Sequence, residues 1–167
     1  MQIRQITDPG DPAIKAFGEL QERTYADPDL LIPPDVLPYM LARQSGARRN
    51  FMLVAEDGQG QVVGGTVFHY LGGAARSGFS SYLAVAPAVR GQGLAKRLHQ
   101  ERFAVLDAAA GAEIPGLFID VVAPERLSPE DTVRERAVGL DPADRRRIFQ
   151  RMGFRRVNVD YYQPPEG

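Results

Sequence analysis

Hydrophobic spacing changes several times along the first fifty residues, and each change predicts a different element. The segment Met1 to Ile6 can form a short strand. Asp11 to Tyr25 has apolar side chains at steps of three residues, which predicts a helix. Prolines concentrated after it favour an ordered loop over Asp27 to Pro34, and helical spacing resumes over Val36 to Ser45. The N-terminal region therefore predicts a strand, a helix, a loop and a second helix.

Three strand-like segments follow, separated by turn residues. Phe51 to Ala55 is a continuous apolar run, and Val62 to Tyr70 is rich in β-branched and aromatic residues, with an Asp-Gly pair between them. Phe79 to Val85 follows a break of two glycines and ends before Pro87. These segments predict an antiparallel meander.

A single apolar stripe marks the next helix, which we predict over Gly91 to Ala110. The residues of this stripe are Leu94, Leu98, Val105 and Ala109. Leu117 to Val122 is an apolar strand interrupted only by Asp120, and a strand reached through a helical crossover is expected to pair in parallel. Strand, helix and strand together predict a βαβ unit.

The C-terminal part is less regular. The stretch from Pro124 to Asp144 is rich in proline and acidic residues, and it can include a short helix over Pro129 to Ala137. A last helix is predicted over Pro142 to Met152, ending at Gly153. Apolar residues alternate over Phe154 to Tyr162, which predicts a final strand.

Composition fits one domain and restricts the chemistry. At 167 residues we expect a single domain over residues 1–167. The chain has no cysteine, which excludes disulfides, thiolate metal ligands and a cysteine nucleophile. Its two histidines, His69 and His99, are far apart in the sequence, so we expect no metal site.

Charge and hydropathy bear on partners and location. The formal net charge is −1, which gives the chain as a whole no attraction to nucleic acid or to anionic membranes. The N-terminal segment lacks the apolar run of a signal peptide, and no stretch approaches the length of a transmembrane helix. We therefore expect a cytoplasmic protein with neither nucleic acid nor a membrane as a partner.

A glycine-rich turn leads from the third strand of the meander into the long helix. Gly91 and Gly93 allow the backbone to approach a ligand closely, and the first amide groups of a helix have no intrahelical acceptor. Arg90 and Lys96 add positive charge, so the turn suits a pyrophosphate. Taken alone, the pattern also describes a tight loop at a helix start, and Lys96 stands where a dinucleotide fingerprint needs a third glycine.

The turn and the strand before it resemble the cofactor motif of the GNAT N-acetyltransferase superfamily, Leu-x-Val-x-Pro-x-x-Arg-Gly-x-Gly-x-Ala. The matching residues are Leu83, Val85, Pro87, Arg90, Gly91, Gly93 and Ala95. A second block, Ile148 to Phe154, is similar to the helix that commonly ends in Gly-Phe in this family and leads into the next strand. The motif covers about thirteen residues, and the order of elements agrees over nearly the whole chain.

This resemblance implies an α/β (α+β) fold with a mixed, mostly antiparallel central sheet flanked by helices. A splayed cofactor cleft would lie between two parallel strands, around Leu83 and Ile119. The implied cofactor is acetyl-CoA or another acyl-CoA, whose pantetheine arm would contact the backbone of Leu83, Ala84 and Val85. A backbone amide near Val85 would stabilise the oxyanion. The implied pyrophosphate ligands are backbone amides beside Arg90, at Gly91, Gln92, Gly93, Leu94, Ala95 and Lys96.

The general base is absent from the position where many relatives have it. They have an acidic residue on the strand before Leu-x-Val, whereas Phe79 to Tyr82 contains no carboxylate here. Asp120 is our substitute candidate, because a carboxylate in an apolar strand near the splay can accept a proton directly or through water. A structural aspartate is the alternative. Glu125 and His69 are weaker candidates.

The general acid is also absent from its expected position. Relatives commonly have a tyrosine in the last helix, where the Gly-Phe alignment puts Phe149. Replacements by Tyr82, Tyr161 or Tyr162 stay open, as does packing on the sheet for each of them. An unassisted thiolate leaving group is a further alternative, because the pKa of a thiol is not far above neutrality.

Two charged segments each allow more than one role. One is an arginine run that can contact the 3′-phosphate of coenzyme A or a nucleic acid, or can form a solvated face balanced by acids. Its members are Arg145, Arg146, Arg147, Arg151, Arg155 and Arg156. The other is the acidic insert, Pro124 to Asp144, which can attract a cationic amine or be an ordinary charged loop.

The sheet edge at the end of the chain raises a question of assembly. The family usually completes a further strand after the one that follows Gly-Phe, and this chain stops at Gln163-Pro-Pro-Glu-Gly. An open edge can be covered by the long loop or by a second subunit, so a homodimer is a hypothesis.

The sequence thus favours an N-acyltransferase that transfers acetyl from acetyl-CoA to an amine of a small molecule or protein by direct attack. A catalytically silent acyl-CoA-binding or sensor domain is the alternative, and a nucleic-acid-binding domain is a third hypothesis. The sequence does not identify the acceptor amine.

Overall fold

Two sets of residues form separate compact units. The computed structural model describes residues 1–139, 141–159 and 161. The first unit consists of Met1–Thr24 and Pro33–Asp120, and the second consists of Tyr25–Ile32 and the described residues from Val121 onward. The expectation of a single domain over residues 1–167 stays a prediction.

The first unit contains all the strands that the structure describes. They are β1 (Gln2–Gln5), β2 (Arg48–Glu56), β3 (Val62–Leu71), β4 (Ser77–Val85) and β5 (Leu117–Ile119). Its helices are α1 (Pro12–Thr24), α2 (Leu37–Ala42) and α3 (Leu94–Ala110). The helices of the second unit are α4 (Pro129–Ala137) and α5 (Pro142–Arg151).

The sheet follows chain order, β1-β2-β3-β4-β5, with each strand beside the next. The pairs from β1 to β4 are antiparallel, and only β4 and β5 are parallel. The helical crossover through α3 explains the parallel pair, since a parallel partner cannot be reached by a short turn. The predicted mixed, mostly antiparallel sheet with a βαβ unit is therefore confirmed.

β4 has an irregularity near its middle. Val67 pairs with Tyr82 and the next residue, Phe68, pairs with Ser80, so Ser81 is an extra residue in β4. An extra residue in one strand bends that strand and increases its twist. The parallel ladder with β5 ends at the same place, because Ser80 opposite Ile119 is its last pair. The predicted strand Leu117 to Val122 is accordingly shorter, and Asp120 lies just beyond it.

Two neighbouring glycines allow helices to pack closely on both faces of β3. A Cβ atom on Gly65 would lie 2.7 Å from the Phe17 ring of α1, and one on Gly64 would lie 3.0 Å from Leu94 of α3. Successive residues of a strand point to opposite faces, so α1 and α3 lie on opposite sides of the sheet. Leu98 of α3 is also fully buried in the resulting core.

The buried face of α3 differs in part from the predicted stripe. Leu94 and Leu98 are buried as expected, but the next fully buried apolar residue is Leu106. Val105 and Ala109 lie at the border of the core and are partly buried. In this turn of the helix the fully buried apolar residue is therefore Leu106 instead of Val105.

The predicted strand over Phe154 to Tyr162 is wrong for the residues described there. None of residues 154–159 and 161 is in a strand, and Tyr162 lies outside the described residues. The alternating side chains Val157, Val159 and Tyr161 are 54%, 66% and 51% exposed. Alternation shows which face a strand would bury, but it forms no strand where nothing covers that face.

Candidate active site

The glycine turn has the conformation that its sequence requires. Gly91 and Gly93 have φ angles of 79° and 77°, in the left-handed region that disfavours residues with a Cβ atom. A Cβ atom on either glycine would have no neighbour within 4 Å. Glycine is needed here for its backbone conformation, and the space above the turn is open.

The turn leads directly into the exposed start of α3. Gly93 precedes the helix, and no side chain caps this end. The amide of Arg97 donates to the carbonyl of Gly93 at 3.1 Å, which begins the helical hydrogen bonds. The amides of Leu94, Ala95 and Lys96 precede that bond and have no intrahelical acceptor. A helix of 17 residues adds a positive dipole at this end.

Arg90 holds the turn against the end of β4. Its Nε donates to the carbonyl oxygen of Val85 at 3.1 Å, and the amide of Ala86 donates to the carbonyl of Val63 in β3 at 2.9 Å. Val85 lies opposite Gly64 and is partly buried. Leu83, Ala84 and Val85 thus lie on the part of β4 beyond the parallel ladder, directly before the turn.

Asp120 lies at the end of that ladder. It follows Ile119, the last paired residue of β5, and among the described residues no cation forms an ion pair with it. The residue is exposed overall, yet surrounding protein partly desolvates its carboxylate and raises the pKa of Asp120 above the ordinary value. A carboxylate with a raised pKa is a stronger base than an ordinary aspartate.

The two weaker base candidates have environments that make them poor proton acceptors. His69 is 1% exposed, and burial, together with the charge of Arg48, lowers its pKa to about 3. Glu125 lies in the second unit, where a backbone hydrogen bond and the charges of Arg146 and Arg156 lower its pKa. Of the three candidates, only Asp120 has its pKa shifted in the direction that favours a base.

The aromatic candidates for the acid fall in different places. Tyr82 is 6% exposed in β4, and Tyr161 is about half exposed in the second unit. Phe149 packs edge-on against Phe154, with ring centroids 5.5 Å apart. The expected tyrosine position in α5 is therefore an apolar contact between two phenylalanines. Tyr162 lies outside the described residues.

Many of the charged side chains described in the second unit form ion pairs with one another. Within the acidic insert as the structure describes it, residues 124–139 and 141–144, every acidic side chain forms an ion pair with an arginine. The most buried pair joins Arg145 to Glu135 at 2.7 Å. Glu125 binds both Arg146 and Arg156, at 2.8 and 3.1 Å. This pairing supports a balanced charged face and weakens a role in attracting nucleic acid or a cationic amine.

A buried polar network beside the bulge was not predicted as a unit. The ring of His69 lies between Asn50 and Ser81, with Nδ1 2.8 Å from the Asn50 Oδ1 atom and Nε2 2.7 Å from the Ser81 Oγ atom. The three residues come from β2, β3 and β4, so their proximity depends on strand register. A histidine in a predicted strand, His69, could be recognised from the sequence. No sequence pattern indicated the bulge that brings Ser81 next to it.

The described part of the chain has neither a cluster of metal-binding side chains nor a helix that could span a membrane. Over residues 1–139, 141–159 and 161, no group of three or more histidine, aspartate or glutamate side chains is arranged to hold a metal ion. In the same part of the chain, no helix has the length and apolar character needed to cross a membrane.

A strand that runs through a glycine turn into a long helix and then into a parallel strand is the arrangement expected of an acyl-CoA-binding acetyltransferase fold. Residues 48–156 match the family model described as the acetyltransferase (GNAT) domain. The match spans well over half of the chain, and the chain belongs to the GNAT acetyltransferase family.

Solved acetyltransferases share this fold over nearly their whole length. An aminoglycoside acetyltransferase from an uncultured soil metagenomic sample, solved in complex with sisomicin, has a TM-score of 0.64 and 17% identity, covering 98% of this chain and 95% of its own. Ribosomal-protein-alanine N-acetyltransferase from Brucella melitensis biovar Abortus 2308 has a TM-score of 0.60 and 16% identity, covering 98% and 99%. Aminoglycoside N-acetyltransferase AAC(6')-Iy, solved in complex with CoA, has a TM-score of 0.60 and 16% identity, covering 98% of each chain. No curated protein sequence matches the chain.

Proposed function

We propose that this protein is an acetyl-CoA-dependent N-acetyltransferase that acetylates an amine by direct attack. The observation that supports this most is the uncapped start of α3, entered through two left-handed glycines at the end of β4. Backbone amides at a helix start, together with the helix dipole, favour a pyrophosphate. A structural neighbour solved with CoA has the same fold, which is consistent with this cofactor.

In this proposal the backbone binds the donor substrate. The amides from Gly91 to Lys96 would hold the pyrophosphate, with Arg90 and Lys96 adding charge. Leu83 to Val85 would hydrogen-bond the pantetheine arm, because this part of β4 lies beyond its pairing with β5. An amide near Val85 would stabilise the oxyanion as the thioester carbonyl becomes tetrahedral.

The transfer then needs a base for the amine. The nitrogen lone pair attacks the thioester carbonyl carbon, the new C–N bond forms, and the C–S bond breaks. The amine proton passes to Asp120, directly or through water, and from there to solvent, while the thiolate of CoA leaves without a side-chain acid and takes its proton from water. The raised pKa of Asp120 and its place at the end of the ladder suit this role.

Titration calorimetry with acetyl-CoA and a thiol-release assay test the proposal together. The acceptor panel contains sisomicin, a peptide with an N-terminal alanine, and putrescine, since structural neighbours include aminoglycoside and ribosomal-protein-alanine acetyltransferases. We expect acetyl-CoA to bind and at least one amine to release thiol in a stoichiometric ratio to acetylated product. Absence of acetyl-CoA binding would refute both the cofactor site and the enzyme.

A silent acyl-CoA-binding domain is the second candidate. Phe149 packs against Phe154 where relatives have a tyrosine, and Phe79 to Tyr82 in β4 has no carboxylate. This candidate predicts acetyl-CoA binding without thiol release on any amine of the panel. The two functions therefore differ in the second measurement and agree in the first.

A further inference from the structure

The donors and acceptors of the polar network at the bulge of β4 can be assigned one after another. Asn50 donates through Nδ2 to the carbonyl oxygens of Met40 and Arg43, at 2.8 and 2.6 Å. These two bonds fix the orientation of the amide, so its Oδ1 faces the ring of His69. Oδ1 can only accept, and it also receives a bond from Nε of Arg48 at 3.1 Å.

The fixed amide determines the tautomer of His69. The Nδ1 atom lies 2.8 Å from Oδ1 of Asn50, so Nδ1 has the hydrogen and donates it. In a neutral imidazole the other nitrogen is then an acceptor. Nε2 lies 2.7 Å from Oγ of Ser81, and the Ser81 hydroxyl therefore donates to His69.

The same three residue types in this order can activate a serine nucleophile, but the surroundings of His69 oppose that use. A nucleophilic serine transfers its proton to the histidine, which must then become positively charged. The His69 ring is buried, and the Arg48 guanidinium lies 3.4 Å from each ring nitrogen. An imidazolium there would be desolvated beside a second cation, so the network orients Ser81 and does not ionise it.

We propose that Ser81 is a positioning residue for the acceptor amine, held by Asn50 and His69 so that its oxygen can only accept a hydrogen bond. This inference rests on the proposed acetyltransferase function. Ser81 is partly exposed and is the extra residue of the bulge, next to the last pair of the parallel ladder. With its hydrogen on His69, Oγ presents lone pairs to an N–H group of a neutral amine.

This arrangement matters because the amine attacks through its own lone pair. A freely rotating serine hydroxyl can donate a hydrogen bond to that lone pair and make it less nucleophilic. A hydroxyl whose hydrogen is fixed elsewhere accepts an N–H bond and leaves the lone pair available. His69 and Asn50 would therefore contribute to the reaction only through Ser81.

Three variants separate this role from a structural one. In Ser81→Ala the acceptor is removed, and we expect kcat/KM for the best amine of the panel to fall about threefold to tenfold, the usual range for one neutral hydrogen bond. Ser81→Thr keeps the hydroxyl and is expected to restore most of that loss. Gln59→Ala, at an exposed position in the turn between β2 and β3, serves as a control without effect. The Kd for acetyl-CoA is expected to stay the same in all three.

The outcomes distinguish this inference from the proposed function. Thiol release from no amine overturns both. Thiol release that is equal in the wild type and Ser81→Ala overturns the role of Ser81 alone, and so does a parallel loss of acetyl-CoA affinity, which indicates a structural effect. Nitrogen-15 NMR of the free protein gives a readout without turnover. We expect a proton on Nδ1 of His69, and a proton on Nε2 would overturn the inference.

Discussion

Ser80 and Ile119 form the last pair of the parallel ladder between β4 and β5. The residues that follow them are the bulged Ser81 and the carboxylate of Asp120. Two polar residues, Ser81 and Asp120, therefore lie directly beyond the end of the parallel pairing, in different environments. Asp120 follows the carboxyl end of β5, whereas Ser81 lies within β4, which continues to Val85.

Replacing Asp120 with asparagine tests its role as the base. If Asp120 accepts the amine proton, Asp120→Asn should lower kcat by at least about 100-fold, within the usual range for a general base. In the wild type, the rate should fall as the pH decreases through a pKa above that of an ordinary aspartate, because the base must be deprotonated. A pH–rate profile with the best amine measures both effects.

The Asp120→Asn substitution should raise the stability of the protein while it lowers activity. A carboxyl whose folded pKa is raised favours the folded state when protonated, so it opposes folding at pH values above both its unfolded and folded pKa values. Asp120→Asn removes the charge and should make the protein slightly more stable at pH 7. Asp57→Asn is the matched control, since the amides of Gln61 and Gln59 lower the pKa of Asp57. That control should be less stable than the wild type and fully active, and an active Asp120→Asn would exclude Asp120 as the base.

Gly93→Ala tests the placement of the pyrophosphate. The new methyl group has open space, but alanine in the left-handed conformation costs about 1–2 kcal/mol. We expect the turn to shift and the affinity for acetyl-CoA to fall at least about tenfold, which is about 1.4 kcal/mol. Gly58→Ala is a control, because Gly58 also has open space and is not among the glycines with positive φ. Equal acetyl-CoA affinity in Gly93→Ala and the wild type, by calorimetry, would show that the pyrophosphate binds elsewhere.

Patterns formed by residues close together in the sequence were sufficient to predict most of the fold. The antiparallel order of β2, β3 and β4 followed from apolar runs separated by turn residues, and the parallel β5 followed from the helical crossover. The glycine turn was identifiable because Gly91 and Gly93 must adopt a conformation that other residues avoid. Each of these features depends on residues close together in the chain.

Features that depend on register were not predictable in the same way. The bulge at Ser81 shifts every later residue of β4 by one position relative to β3, and nothing in Phe79 to Tyr82 indicates it. The contacts of His69 with Asn50 and with Ser81 therefore could not be predicted from the sequence. Arg102 was also missed, because a fully buried arginine on the core face of α3 looks like a solvent-facing residue in a sequence.

A larger residue at Gly65 should disturb the contact between α1 and β3. The added Cβ atom would lie 2.7 Å from the ring of Phe17 and 2.8 Å from the carbonyl oxygen of Leu53. Gly65→Ala should therefore lower the free energy of unfolding by about 1–3 kcal/mol, the usual cost of overpacking. Urea denaturation measures the change.

The matching double variant shows whether Phe17 causes that loss. Phe17→Leu creates space and should itself destabilise the protein, but it should reduce the cost of Gly65→Ala when the two are combined, since contacting residues are not additive. Gly116→Ala is the control, because its Cβ atom would have no neighbour within 4 Å. Additive losses in the double variant would place the strain at the Leu53 carbonyl instead.

The two histidines should make the protein sensitive to mild acid. Burial and the charge of Arg48 lower the pKa of His69 to about 3, and burial and the charge of Arg102 lower the pKa of His99 to about 4. Both are neutral in the folded state while the unfolded chain binds protons near pH 6.5, so the stability they provide is complete above pH 6.5 and is lost as the pH falls towards 4 and 3. Between pH 6.5 and 5 each histidine should reduce the free energy of unfolding by on the order of 2 kcal/mol, measurable by urea denaturation at both pH values.

His69→Gln should remove about half of this pH dependence. The ring proton signals of both histidines should also stay constant in NMR spectra from pH 8 to 5.5, and a midpoint near pH 6.5 for either one would contradict its burial as a neutral side chain.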